Sequence, residues 1–161
     1  MKHQEGVFAG VRKTGLYHQG WLPEGEPKAV LLIVHGLAEH SGRYMNLVNR
    51  FVPQGFAVYG IDHLGHGRSE GRRLLLERFT DYTEPLKTYV GMVRCWQPDR
   101  PVFLVGHSMG GLIGATYLLS SQEGLTGAIL SGPAVKAPGR IPAATILAGR
   151  VLSLLFPWVG L

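Results

Sequence analysis

Pro101-Val102-Phe103-Leu104-Val105-Gly106-His107-Ser108-Met109-Gly110-Gly111 is the stretch on which the fold turns. Residues 101–106 are a short apolar run of the kind that forms a strand buried on both faces. Residues 108–120 read as a helix. The pattern Gly-x-Ser-x-Gly stands at their junction. A sharp strand-to-helix turn forces Ser108 into a strained backbone conformation and lifts its hydroxyl clear of the sheet. The glycines two residues to either side are required because larger side chains would clash in so tight a turn. The helix start after Ser108 offers N–H groups without intrahelical partners, which favour developing negative charge. Ser108 is therefore the candidate nucleophile.

Upstream, Ala29-Val30-Leu31-Leu32-Ile33-Val34 is a second buried strand. It runs into His35-Gly36-Leu37-Ala38, the loop that in this layout supplies a second oxyanion donor. The hole is assigned to the backbone N–H groups of Leu37 and Met109. His35 is read as a hydrogen-bonded structural residue. A helix is expected from Ser41 or Gly42 to about Val52, with Leu47, Val48 and Phe51 on one face, ended by Gly55. Phe56 to Ile61 follows as a strand. Thr80 or Asp81 is expected to cap a helix over 82–96 whose stripe is Leu86, Tyr89, Val90 and Val93. Gly127 to Ser131 is a further strand, and 6–11 and 15–22 are two early ones. Strands alternating with helices argue for an α/β fold with a mostly parallel sheet and helices on both faces. The loop from Asp62 to Ser69 lacks the glycine spacing of a phosphate cradle. Its His63 and His66 have no third ligand at a metal-site spacing, so it is read as a structural wall.

Hydrophobic residues make up 45% of the 161 and charged residues 17%, a globular balance. The net charge of +5 is scattered, and no basic run is longer than a pair such as Arg72-Arg73. That fits a solvated surface rather than a nucleic-acid partner. The single cysteine, Cys95, allows no internal disulfide. The N-terminus, MKHQEGVFAG, has no apolar run of signal-peptide length, and no stretch is an uninterrupted membrane span. Residues 141–161 come nearest but contain Pro142, Arg150 and Pro157. They read as a lid or core helix, in a cytoplasmic protein able to touch membranes through that segment.

The segments HGLAEHSGRY (35–44), DHLGHGRSEG (62–71) and GHSMGG (106–111) together resemble the monoglyceride lipase and lysophospholipase branch of the α/β-hydrolases, of the serine aminopeptidase S33 type. The resemblance implies an eight-stranded, mostly parallel sheet under a helical cap. It implies Ser108 as nucleophile, Leu37 and Met109 as oxyanion donors, and Glu39 and Arg43 near the polar head of a glyceride. Residues 1–138 would be the N-terminal part of the core. Residues 139–161 would begin the cap, with 145–161 as a hydrophobic lid. The family often has glycine at position 38, where this chain has alanine. The implied reaction releases fatty acid from a monoacylglycerol or lysophospholipid through an acyl-enzyme, without metal or organic cofactor.

Chain order in this fold is Ser, then Asp or Glu, then His. After Ser108 there is no Asp and no His, and Glu123 is the only carboxylate. The expectation is a partial sequence, cut before the last strands and within the cap, whose isolated form is inactive. The alternative is one half of a split protein. Two other functions compete: a non-lipid hydrolase cleaving small esters or N-terminal proline peptides, and a non-catalytic interaction fragment associated with membranes.

Overall fold

The computed structural model describes residues 1–136, 139 and 142–155, with the side chains of 153 and 154 excepted. Among the described residues six strands form one sheet in the order β1-β2-β4-β3-β5-β6. They are β1 (Lys2–Ala9), β2 (Gly15–Leu22), β3 (Ala29–Val34), β4 (Phe56–Ile61), β5 (Val102–His107) and β6 (Gly127–Ser131). The pairs β3–β4, β3–β5 and β5–β6 are parallel. β1 and β2 are antiparallel additions at one side. Among the described residues four α-helices accompany the sheet: α1 (Met45–Phe51), α2 (Thr80–Trp96), α3 (Met109–Ser120) and α4 (Ala143–Leu155).

The period-two alternation of a strand sorts the core into two layers. On one face Val30, Leu32 and Val34 join Ala57, Tyr59, Ile61 and Leu104 beneath α2 and α3. Leu86, Tyr89, Val90 and Val93 of α2 pack there, as their spacing predicts, with Ile113 and Tyr117 of α3. On the other face Leu31, Ile33 and Val58 meet Val48 of α1 and the following Val52. Helices thus cover both faces of a mostly parallel sheet. Because β3 is apolar at every position, it serves both layers at once.

Several boundaries differ from the sequence expectation. β1 lies at 2–9 rather than 6–11, because its register pairs Ala9 with Gly15 and the chain turns through Gly10 to Thr14. β5 runs one residue further, to His107, which pairs with Ser131. The helix expected from residue 41 begins as a 3-10 turn over Ser41–Tyr44 before α1. Gly55 ends the following turn at φ 88°, the left-handed conformation that favours glycine. Neither Thr80 nor Asp81 caps α2. The Asp81 carboxylate is buried and engaged by Arg12, whose Nη2 lies 2.9 Å from Oδ2.

The part of the expected cap at 156–161, and 137–138 and 140–141, lie outside the described residues. α4 is described, and Ile146, Leu147, Val151, Leu152 and Leu155 are all exposed. Among the described residues no helix is long and apolar enough to cross a membrane.

Candidate active site

Ser108 stands between the end of β5 and the start of α3 with φ 52° and ψ −117°. A β-carbon makes this region costly, so a serine found there is held by its surroundings. Its N–H donates to the Ser131 carbonyl, and its own carbonyl accepts from Ala134 and Leu112. The turn is thereby tied to both β6 and α3. Ser108 is half-buried. Its hydroxyl makes no hydrogen bond to the described residues.

The glycines of the motif are required by space. A β-carbon on Gly106 would lie 2.6 Å from the Gly110 carbonyl oxygen, and one on Gly111 would lie 2.9 Å from Pro133. At Gly110 it would collide with the carbonyls of Val34 and His35. The end of β3 and the start of α3 therefore touch backbone to backbone.

This contact sets the loop after β3 against the turn. A β-carbon on Gly36 would sit 3.4 Å from the Ser108 Cβ and from the His107 carbonyl oxygen. The N–H groups of Leu37 and Met109 make no hydrogen bond among the described residues. Leu37 is 58% exposed. Ala38 has φ 56°, so the alanine adopts a conformation that glycine reaches without strain.

Behind the loop lies a buried cluster that sequence spacing did not reveal. The rings of His35 and His63 are 4.3 Å apart, and those of His35 and His66 are 5.3 Å apart. The His63 N–H donates to His35 Nε2 at 3.0 Å. A ring nitrogen that accepts carries no proton, so the proton of neutral His35 sits on Nδ1, 2.8 Å from the Gly36 carbonyl oxygen. His66 Nδ1 lies 3.0 Å from the Leu64 carbonyl oxygen. His35, which the sequence assigned a structural part, thus ties the loop after β3 to the loop after β4. No group of three or more His, Cys, Asp or Glu among the described residues is arranged to hold a metal.

Burial pushes the His35 imidazole down to about 4, aided by the neighbouring His66 and opposed by the Gly36 carbonyl and by Asp62 and Glu39. Burial, with His35 and His66 nearby, also holds His63 well below its ordinary value. The unfolded chain would bind a proton at His35 near pH 6.5, whereas the folded chain resists it until about 4. This contribution is complete above pH 6.5 and is lost as the pH falls through that window. Urea unfolding midpoints should fall between pH 7 and 4, and more shallowly in His35→Gln, whose side chain accepts a hydrogen bond but does not titrate.

Asp62 anchors the same wall. Its Oδ1 accepts from the Ser41 N–H (2.7 Å) and hydroxyl (2.6 Å), and its Oδ2 accepts from the Arg68 N–H (2.9 Å). Gly65 and Gly67, both at positive φ, let the loop curl around this carboxylate. Asp62→Ala strands three donors, two of them on buried Ser41. It is expected to cost at least about 3 kcal/mol by urea denaturation. Asp62→Asn keeps one acceptor and should cost less.

Glu39 and Arg43, which the resemblance placed near a polar head group, lie beside this loop. Glu39 Oε2 accepts from the Gly36 N–H (3.0 Å) and the Tyr44 hydroxyl (2.9 Å). Arg43 Nη1 is 3.7 Å from Glu39 Oε1 and well exposed. Burial raises the Glu39 carboxyl, but the Tyr44 hydroxyl, the Gly36 N–H, Arg43 and His107 together hold it below its usual value. Sequence reasoning missed Tyr44. No local pattern announces it, because the Tyr44 hydroxyl meets Glu39 only once the 3-10 turn over Ser41–Tyr44 has formed.

A six-stranded, mostly parallel sheet with a serine raised on a strained strand-to-helix turn defines an α/β-hydrolase fold. Comparison with known proteins narrows this. The family model described as serine aminopeptidase, S33 matches residues 25–161, and the chain belongs to that family. Monoacylglycerol lipase of Mycolicibacterium smegmatis is 37% identical over 155 residues, covering 96% of this chain and 55% of the lipase. The crystal structure of a carboxyl esterase from Bacillus coagulans superposes with a TM-score of 0.78 at 30% identity, covering 98% of this chain and 51% of that one. The monoacylglycerol lipase of Paleococcus ferrophilus gives 0.74 at 30% identity, covering 91% and 54%. The chain spans about half the length of the curated relatives it matches.

Proposed function

We propose that the protein is a serine ester hydrolase acting on lipid-like acyl esters, monoacylglycerols or lysophospholipids. One observation carries this reading: Ser108 sits half-exposed at φ 52° on the β5–α3 turn, with the loop after β3 against it. Its oxygen attacks the acyl carbon, and the Leu37 and Met109 N–H groups stabilise the oxyanion. The ester C–O bond breaks, the alcohol leaves with a proton, and the acyl group remains on Ser108. Water then releases the fatty acid and restores the hydroxyl. No Asp or His follows Ser108 in this sequence, and His35, His63 and His66 are buried among themselves, so none of these three is assigned as the base.

The substrate class rests on the similarity to monoacylglycerol lipases and on the exposed apolar side chains of α4. We assign α4 to the start of a cap over residues 139–161 that contacts acyl chains or a membrane surface. The chain alone, residues 1–161, is inactive in this reading. A second reading has one observation in its favour, the matching family's description as an aminopeptidase. The two separate on kcat/KM of the whole protein for a monoacylglycerol, a short p-nitrophenyl ester and a proline amide. The monoacylglycerol should be preferred, and a strong preference for the amide would overturn the lipase reading.

A further inference from the structure

We propose that Glu39 is a positioning residue for the oxyanion loop, clamping residues 36–38 in the conformation that aims the Leu37 N–H at the reacting carbonyl. The inference rests on Ser108 being the nucleophile of an ester hydrolase.

Three observations converge on it. First, Glu39 Oε2 takes hydrogen bonds from the Gly36 N–H in the loop at 3.0 Å and from the Tyr44 hydroxyl of the following 3-10 turn at 2.9 Å, so it ties the loop to that turn. The oxygen facing the loop is thus engaged within the chain. Second, Gly36 is the residue that backs onto the nucleophile turn, with space for a β-carbon limited at 3.0 Å by this same Oε2 and at 3.4 Å by the Ser108 Cβ. Third, the loop is strained, with Ala38 at φ 56°. A non-glycine residue stays there only when its surroundings over-determine it. The His35 ring fixes the carbonyl of Gly36 and Glu39 fixes its N–H, so the residue before Leu37 is held on both sides. Leu37 between these anchors has its own N–H free of partners among the described residues.

A clamp of this kind acts on the transition state, where the oxyanion forms, and not on the ground-state ester. Loss of an oxyanion donor costs on the order of 10²–10³ in rate. In the whole protein Glu39→Ala should therefore lower kcat by about 10² with KM changed less than about twofold. Glu39→Gln keeps one neutral acceptor and should lie between. Tyr44→Phe, which removes one donor to Oε2, should lower kcat roughly fivefold. The effects should be equal on a monoacylglycerol and on p-nitrophenyl acetate, which has no glycerol. Affinity for a trifluoromethyl ketone, which forms a hemiketal oxyanion on the serine, should fall in parallel with kcat/KM.

A KM increase confined to the monoacylglycerol, with p-nitrophenyl acetate turnover unchanged, would assign Glu39 to the head group and overturn the proposal. If Glu39→Ala does not fold by urea denaturation, the other two variants decide. Wild-type kcat in both on p-nitrophenyl acetate would equally overturn it. Turnover that survives Ser108→Ala would instead defeat the underlying reading of the site.

Discussion

Ser108→Ala is expected to lower kcat for ester hydrolysis by the whole protein by on the order of 10⁶, the scale seen when a hydrolase loses its serine nucleophile. The size follows from covalent chemistry. Without the hydroxyl no acyl-enzyme forms, and what remains is the much smaller contribution of binding and oxyanion stabilisation. Stability should barely move, because Ala carries the same β-carbon at φ 52° and the lost hydroxyl makes no hydrogen bond among the described residues. A fluorophosphonate probe gives the direct readout, labelling the wild-type protein and not the variant. Labelling that persists in Ser108→Ala would place the nucleophile elsewhere.

Gly110→Ala is expected to be the most damaging single methyl group that can be added to the turn at Ser108. The new carbon would collide with the Val34 carbonyl oxygen and stand 2.5 Å from that of His35. Both obstacles are backbone, so no rotamer change relieves them. Either α3 moves away from the end of β3 or the loop 35–38 moves away from Ser108. A clash with fixed backbone in a packed core belongs among the exceptional substitutions, at about 4 kcal/mol or more. Any folded fraction should have lost oxyanion stabilisation as well, because the same contact spaces the N–H groups of Leu37 and Met109, the proposed oxyanion donors. Urea denaturation and fluorophosphonate labelling should therefore fail together. A variant that unfolds at the wild-type midpoint would contradict the close approach of β3 and α3. Gly91→Ala is the control, since an added β-carbon there meets nothing within 4 Å.

The parts of the molecule read from sequence are those whose signal is local. The apolar run of β3 showed a strand buried on both faces, and the structure uses its alternate residues in the two core layers. The spacing of Leu86, Tyr89, Val90 and Val93 gave the buried stripe of α2, because residues three and four apart share a helix face. The boundaries of β2, β3, β4 and β6 agree with the expectation residue for residue. β1 was displaced because its limits come from pairing with β2. The cap of α2 was misread because Asp81 is drawn to Arg12, which no local window contains.

By itself the sequence determined the order of strands and helices, the position of the serine turn, and the glycines that the turn requires. These depend on conformational preferences and steric limits within a few residues. Only the tertiary structure decided what supports that turn. The His63 N–H reaches His35 across 28 positions, and Asp62 reaches Ser41 across 21. Neither pair leaves a periodic trace, because a hydrogen bond between loops is set by where the sheet delivers their ends. Parallel pairing of β3 with β4 brings both loops to the same edge of the sheet, and burial there leaves polar groups no partner but one another.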